Sequence, residues 1–136
     1  MNQRATGSFD VKVVPQKPDT QIARAANLSR LTIDKRFHGD LEGASKGEML
    51  ALQTDVKGSA GYVALERVTG KLKGAQGTFV LQHSATMHKG EPDSKITVVP
   101  DSATGELVGL TGKMVITVAE DGAHNYEFEF KLDARR

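Results

Sequence analysis

Glu66 and His83 are the two side chains in this chain best suited by type and spacing to act together. They stand on two stretches that read as the arms of one hairpin, Gly61-Tyr-Val-Ala-Leu-Glu-Arg-Val-Thr-Gly70 and Gly77-Thr-Phe-Val-Leu-Gln-His83. A turn centred on Gly74-Ala75 puts Glu66 opposite His83, with Gly70 facing Phe79, Val68 facing Leu81, Ala64 facing Ala85 and Tyr62 facing Met87 on the same side. That face is apolar apart from the one polar pair. A carboxylate and an imidazole in contact away from water shift each other's proton affinity, which suits proton transfer near neutral pH. Glu66 and His83 are therefore the expected catalytic pair. Lys35 falls on the inward side of its own strand and would neutralise Glu66 or hold an anionic group. Tyr62, Phe79, Tyr126 and Phe128 complete the expected ligand-binding set, two as hydroxyl donors and two as aromatic wall. The competing reading is a satisfied buried polar cluster that only sets register.

The elements that must position these residues are strands. Period-two alternation runs from end to end, and no segment keeps a helical stripe. Phe9, Val11 and Val13 alternate with polar residues from Thr6 onward, and Pro15 and Pro18 bracket that strand's end. Asp19 to Asn27 reads as a helical turn or a loop. Leu31 to Phe37 makes the second strand, Glu48 to Asp55 the third, Tyr62 to Leu72 and Thr78 to Met87 the fourth and fifth. Ser94 to Pro100, Lys113 to Ala119 and His124 to Asp133 follow, the last two joined across Asp121-Gly122. Gly-x-Leu-x-Gly occurs three times, at Gly39 to Gly43, Gly70 to Gly74 and Gly105 to Gly109, where glycine would make the turn and leucine tuck under the sheet end. Eight strands with short links and no crossover helix imply an all-β, antiparallel up-and-down barrel spanning residues 1–136 as one domain. All seven aromatic residues then fall on inner faces. A barrel of this size either packs its interior with side chains or holds one small ligand.

Composition narrows the partners. Eighteen basic and 17 acidic residues leave a net charge of +1 with no basic stripe, so no nucleic-acid partner is expected. No apolar run approaches the length of a membrane span, and no membrane partner is expected. Cysteine is absent and no signal peptide precedes the first strand, which suits a cytoplasmic protein. The four histidines lie on different strands or turns, so no metal site is expected. Gly105 to Gly112 matches neither phosphate-binding fingerprint, and no cofactor is expected. Val63, Leu65 and Val80 lie on the outer face of the hairpin, where another subunit would cover them; the expectation is a homo-oligomer.

Tyr62-Val-Ala-Leu-Glu-Arg-Val-Thr-Gly70 followed by Gly77-Thr-Phe-Val-Leu-Gln-His83 is similar to the signature of a bacterial family of small uncharacterised proteins. Phe37-His-Gly-Asp-Leu-Glu-Gly43, Val98-Val-Pro100 and Thr104-Gly-Glu-Leu-Val-Gly-Leu110 also resemble it. Members of that family look like allene oxide cyclase in fold, an eight-stranded antiparallel barrel that is commonly oligomeric and has an interior cavity. The cyclase binds an unsaturated fatty-acid epoxide and guides ring closure by holding its conformation, with a glutamate assisting. The resemblance implies the architecture and an apolar cavity; Glu66 and His83 match the family's glutamate and histidine. Three functions follow as expectations. The first is a barrel that binds a small apolar or amphipathic ligand. The second is an isomerase or cyclase using Glu66 and His83. The third is a structural barrel with a filled core.

Overall fold

The computed structural model describes residues 2–132. Eight antiparallel strands close into a barrel in chain order, β1 (Gln3–Gln16), β2 (Ser29–Gly39), β3 (Leu41–Gln53), β4 (Ala60–Leu72), β5 (Ala75–His88), β6 (Glu91–Val98), β7 (Thr111–Val118) and β8 (His124–Lys131). Each strand pairs with the next, and β8 returns to β1 from Gln3↔Phe130 to Phe9↔His124. The expected fold class is therefore the observed one. A helix, α1 (Gln21–Ala26), follows β1; the Thr20 side chain accepts from the Ala23 amide, Asn27 ends it in the left-handed region, and it buries none of its residues.

One end of the barrel is closed and packed. The leucines of all three Gly-x-Leu-x-Gly runs, Leu41, Leu72 and Leu107, are buried there with Leu110. Phe128 stacks on Phe79 at 5.8 Å and on Phe130 at 5.3 Å, filling the space above them. The chain between β6 and β7 seals this end without a regular ladder: Val99 and Thr104 give their amides to the Val80 and Thr78 carbonyls, and side chains complete the cover. Val80, Thr78 and Gln76 give their amides to Ser102 Oγ, Thr104 Oγ1 and Glu106 Oε1. This cover also explains why Val80, expected on an exposed outer face, is half-buried. At the opposite end, inward-facing Val13, Met87 and Val118 are exposed, so the barrel opens there.

Several boundaries and one register differ from expectation. The first strand begins at Gln3 rather than Thr6, and Pro15 lies within it, paired with Leu31. The sixth runs from Glu91 to Val98 instead of Ser94 to Pro100. The third begins at Leu41, well before Glu48, because Gly43, Ser45 and Gly47 occupy its inward positions and hide the alternation. Asp133, the expected end of the eighth strand, lies outside the described residues. The β4–β5 turn is centred on Lys73-Gly74 (φ 48° and 90°), with Leu72 opposite Ala75. This is a type I′ arrangement, positive at both central positions; a turn on Gly74-Ala75 would have used glycine first, as in type II′. Moving the turn by one residue moves every cross-strand partner by two. Glu66 faces Leu81, and His83 faces Ala64. A two-residue change keeps each side chain on its face, so the inner set survives the correction.

Candidate functional site

Glu66 is the hub of a buried polar layer between the packed end and the open end. Its inward direction follows from strand parity, and Gly47 directly opposite on β3 leaves it room. A Cβ at Gly47 would lie 2.2 Å from the Leu65 carbonyl and 2.8 Å from Glu66 Cβ, so only glycine permits this approach. Three donors converge on the carboxylate. Lys35 Nζ lies 2.8 Å from Oε2, His83 Nε2 lies 2.5 Å from Oε2, and the Ser45 hydroxyl donates to Oε1 at 2.7 Å. Lys35, Ser45, Glu66 and His83 are all buried, with Glu66 1% exposed. The Lys35 ammonium also sits 4.9 Å from the Phe9 ring centre and 5.7 Å from that of Phe37, both cation–π distances.

Although His83 is not directly opposite Glu66, the diagonal between neighbouring strands is short enough for the long glutamate side chain to bridge. Burial alone would raise the carboxyl's proton affinity. The hydrogen bond from His83, the Lys35 charge and the remaining contacts outweigh it and bring the carboxyl to about 2. Glu66 is thus an ionised, fully engaged acceptor at neutral pH, poorly suited to take up a further proton. Among the described residues no buried side-chain nitrogen or oxygen lacks a partner.

The remaining expected site residues separate into two groups. Phe79 and Phe128 are buried in the packed end. The Tyr126 hydroxyl accepts from the Leu41 amide at 2.8 Å and donates to the His38 carbonyl at 2.9 Å, clamping the β2–β3 turn rather than facing the Glu66 layer. Tyr62 lies on the other side, one inward step beyond Ala64 toward the open end. It is half-buried, and its hydroxyl is not an orphaned buried group. Burial, with a smaller effect of the Glu66 charge, raises its pKa above the ordinary phenol value. Tyr62 lines a cavity of about 250 Å³ with Ala60, Ala85, Met87, Ile96 and Ile116. Ser45 is the site residue that sequence reasoning missed. Extending the third strand back through Gly43 and Gly47 places it inward, but its small neighbours give no apolar signal.

A larger concavity, about 610 Å³, lies on the outside of the wall. Its outward side chains are Leu50, Val63 and Leu65, all roughly half exposed, bordered by Gln82, Ser84 and the Arg30–Glu48 ion pair (2.8 Å). No group of three or more His, Asp or Glu side chains among the described residues could hold a metal ion. No described helix is long and apolar enough to cross a membrane.

Fold and site together define a class: a small closed β-barrel, packed at one end and open at the other, with a buried Lys–Glu–His layer between. Residues 5–130 match the profile described as protein of unknown function (DUF3224), and the chain belongs to that family. A crystal structure of a DUF3224 protein of unknown function from Shewanella oneidensis MR-1 superposes with a TM-score of 0.90. It is 46% identical, over 99% of this chain and 100% of that one. No curated protein matches at a significant level.

Proposed function

We propose that the open end of the barrel binds a small, largely apolar molecule, with the Tyr62 hydroxyl as its polar contact and the Lys35–Glu66–His83 layer as the rigid floor beneath. The observation that carries this is the 250 Å³ cavity itself. Ala60, Ala85, Met87, Ile96 and Ile116 make up most of its wall, with Tyr62, Thr86, Asp93 and Ser94 as the polar groups among them. The size admits a molecule of up to three aromatic rings or a short chain. Binding is favoured over proton transfer at Glu66, because that carboxylate already accepts three hydrogen bonds and is ionised through the neutral range. For the same reason the cyclase-type reading finds no available base in Glu66. The lack of cysteine suits a reducing cytoplasm.

Titration with the neutral dye N-phenyl-1-naphthylamine, read by fluorescence, tests the reading. Ala85→Trp fills the cavity and is expected to abolish the signal. Tyr62→Phe is expected to weaken probes bearing an acceptor oxygen by about 2- to 10-fold, the worth of one ordinary hydrogen bond. Undiminished binding by Ala85→Trp would place the dye elsewhere and end the proposal.

The outer concavity supports a second reading, a homo-oligomer. Leu50, Val63 and Leu65 form an exposed apolar strip, while the surrounding charges come in both signs, Arg30 with Glu48 and Lys46 with Asp34. A second copy laid across this strip would bury it without confronting a rim of one charge. Light scattering during size exclusion is expected to report more than one chain for the native protein and one for Leu65→Glu. A native monomer across the accessible concentration range refutes this.

A further inference from the structure

The barrel is closed by ladders of very unequal length. β3 with β4 and β4 with β5 each pair over thirteen positions, whereas β6 and β7 share two, Ile96↔Met114 and Thr97↔Lys113. Continuing that register toward the open end would set Ser94 opposite Ile116 and Pro92 opposite Val118, and neither pair forms. The hydrogen-bond alternation shows what this leaves. His88↔Glu91 closes the Lys89–Gly90 turn, so Pro92, Ser94 and Ile96 direct their backbone groups away from β5 and toward β7. Of these, Ile96 is paired, Ser94 is not, and Pro92 has no N–H to offer. On β7 the Ala119 amide bonds to the Ala123 carbonyl, and the same count turns Ile116 and Val118 toward β6. The two strands thus part above Ile96 and Met114, leaving a slit with polar backbone lips.

The slit opens onto the apolar cavity. Every residue lining that cavity comes from β4, β5, β6 or β7, and none from β1, β2, β3 or β8. The cavity therefore lies against the parted seam, off the barrel axis. Ile96, in its wall, faces His83 across the β5–β6 ladder. A parted seam could instead receive a strand from another chain. Pro92 within the edge, exposed Glu91, Asp93 and Lys95 along it, and its few residues all oppose strand addition.

We propose that the β6–β7 seam is the entrance to the ligand cavity and selects for flat or linear molecules. A slit between two strand edges admits a ring plane or an extended chain and turns away a globular or heavily branched molecule. The lips at Ser94 and Ile116 solvate the ligand's polar end as the apolar part slides in against Ala60, Ala85 and Ile96. Tyr62 then takes an acceptor atom. This rests on the ligand-binding reading above.

The absence of cysteine and tryptophan makes the test clean. In Ser94→Cys/Ile116→Cys, a bis-methanethiosulfonate reagent bridges the lips through two reducible disulfides, and stopped-flow association of N-phenyl-1-naphthylamine is followed before and after reduction. The expected result is association slowed by about tenfold or more when bridged and restored on reduction. As a second route, Ser94→Trp obstructs the seam and Val13→Trp the axial opening; the first is expected to slow association and the second to leave it unchanged. Association unaffected by the bridge, or slowed only by Val13→Trp, overturns the seam as entrance while binding itself stands. Absence of dye binding by the native protein overturns the ligand-binding reading and this inference with it.

Discussion

Replacing Glu66 with glutamine preserves the shape of the side chain and removes its charge, which isolates what the buried layer contributes. The Lys35 ammonium, 5% exposed and 2.8 Å from the carboxylate, would keep only a neutral acceptor and two aromatic rings. The amide would also turn an N–H₂ donor toward Lys35, His83 or Ser45, all of which now donate to Glu66 in at least one protonation state. Removing one partner of a buried pair costs about 3–5 kcal/mol. Proton linkage gives a consistent figure. A carboxyl lowered from 4.5 to about 2 stabilises the fold by about 3 kcal/mol at neutral pH, at about 1.4 kcal/mol per tenfold change in proton affinity. Because the folded value lies below the unfolded one, this contribution is complete above about pH 4.5 and disappears as pH falls toward 2. Urea unfolding followed by circular dichroism at pH 7 should therefore show Glu66→Gln destabilised by about 3–5 kcal/mol, equivalent to roughly 10–15 °C in Tm. The difference from the native protein should shrink steadily below pH 4.5. Lys35→Met combined with Glu66→Leu should cost about 2 kcal/mol or more less than the two single changes added together, since neither charge is then stranded. A Glu66→Gln loss under about 1 kcal/mol, or simple additivity of the pair, would show that the layer is solvated and that the reasoning about its burial is mistaken.

Two further changes probe how the barrel makes room for that layer. Gly47→Ala should destabilise by at least 1–3 kcal/mol, roughly the cost of overpacking, because its Cβ would meet the Leu65 carbonyl at 2.2 Å; denaturant midpoints check this, and a neutral effect would mean that β3 shifts easily. Lys73→Asn should stabilise by a few tenths of a kcal/mol to about 1, because Asn tolerates the positive φ of 48° better in a type I′ turn. A loss of stability there would show that the Lys73 side chain contributes something its backbone conformation does not.

The barrel was legible because period-two alternation needs no knowledge of partners. Phe9, Phe37, Phe79, Tyr126, Phe128 and Phe130 could be assigned inward from their own strands, and all are buried. Register depends on turn chemistry, and there one lysine misled. Lys73 occupies a positive-φ position more often held by asparagine or glycine, so the sequence points to a turn one residue late, which sets Glu66 opposite His83 instead of Leu81. The contact survived only because a two-residue change leaves both side chains on the same face, within reach along the diagonal. The length of the β6–β7 ladder was not legible at all, since alternation within a strand says nothing about how far its neighbour follows it.

The least readable stretch is the one that creates the site. Between Leu41 and Gly47 the inward positions are Gly43, Ser45 and Gly47, too small to register as a core face. Their smallness has a structural use. Gly43 and Gly70 stand opposite each other where an added Cβ on either would strike the partner's backbone. Gly47 lets the base of Glu66 approach β3, and Ser45 turns the remaining space into a hydrogen bond. A conventional strand with valine or isoleucine at these positions would have been recognised at once, and it would have filled the volume the carboxylate and its three donors need. Local pattern was given up where a polar layer had to be enclosed, which is where disagreement between sequence rules and structure is expected to mark a special site. The Glu66 layer is better understood as that enclosure, rigid and internally satisfied, than as the reacting end of a cavity. The groups left to meet a ligand are those above it, Tyr62 and the parted strands.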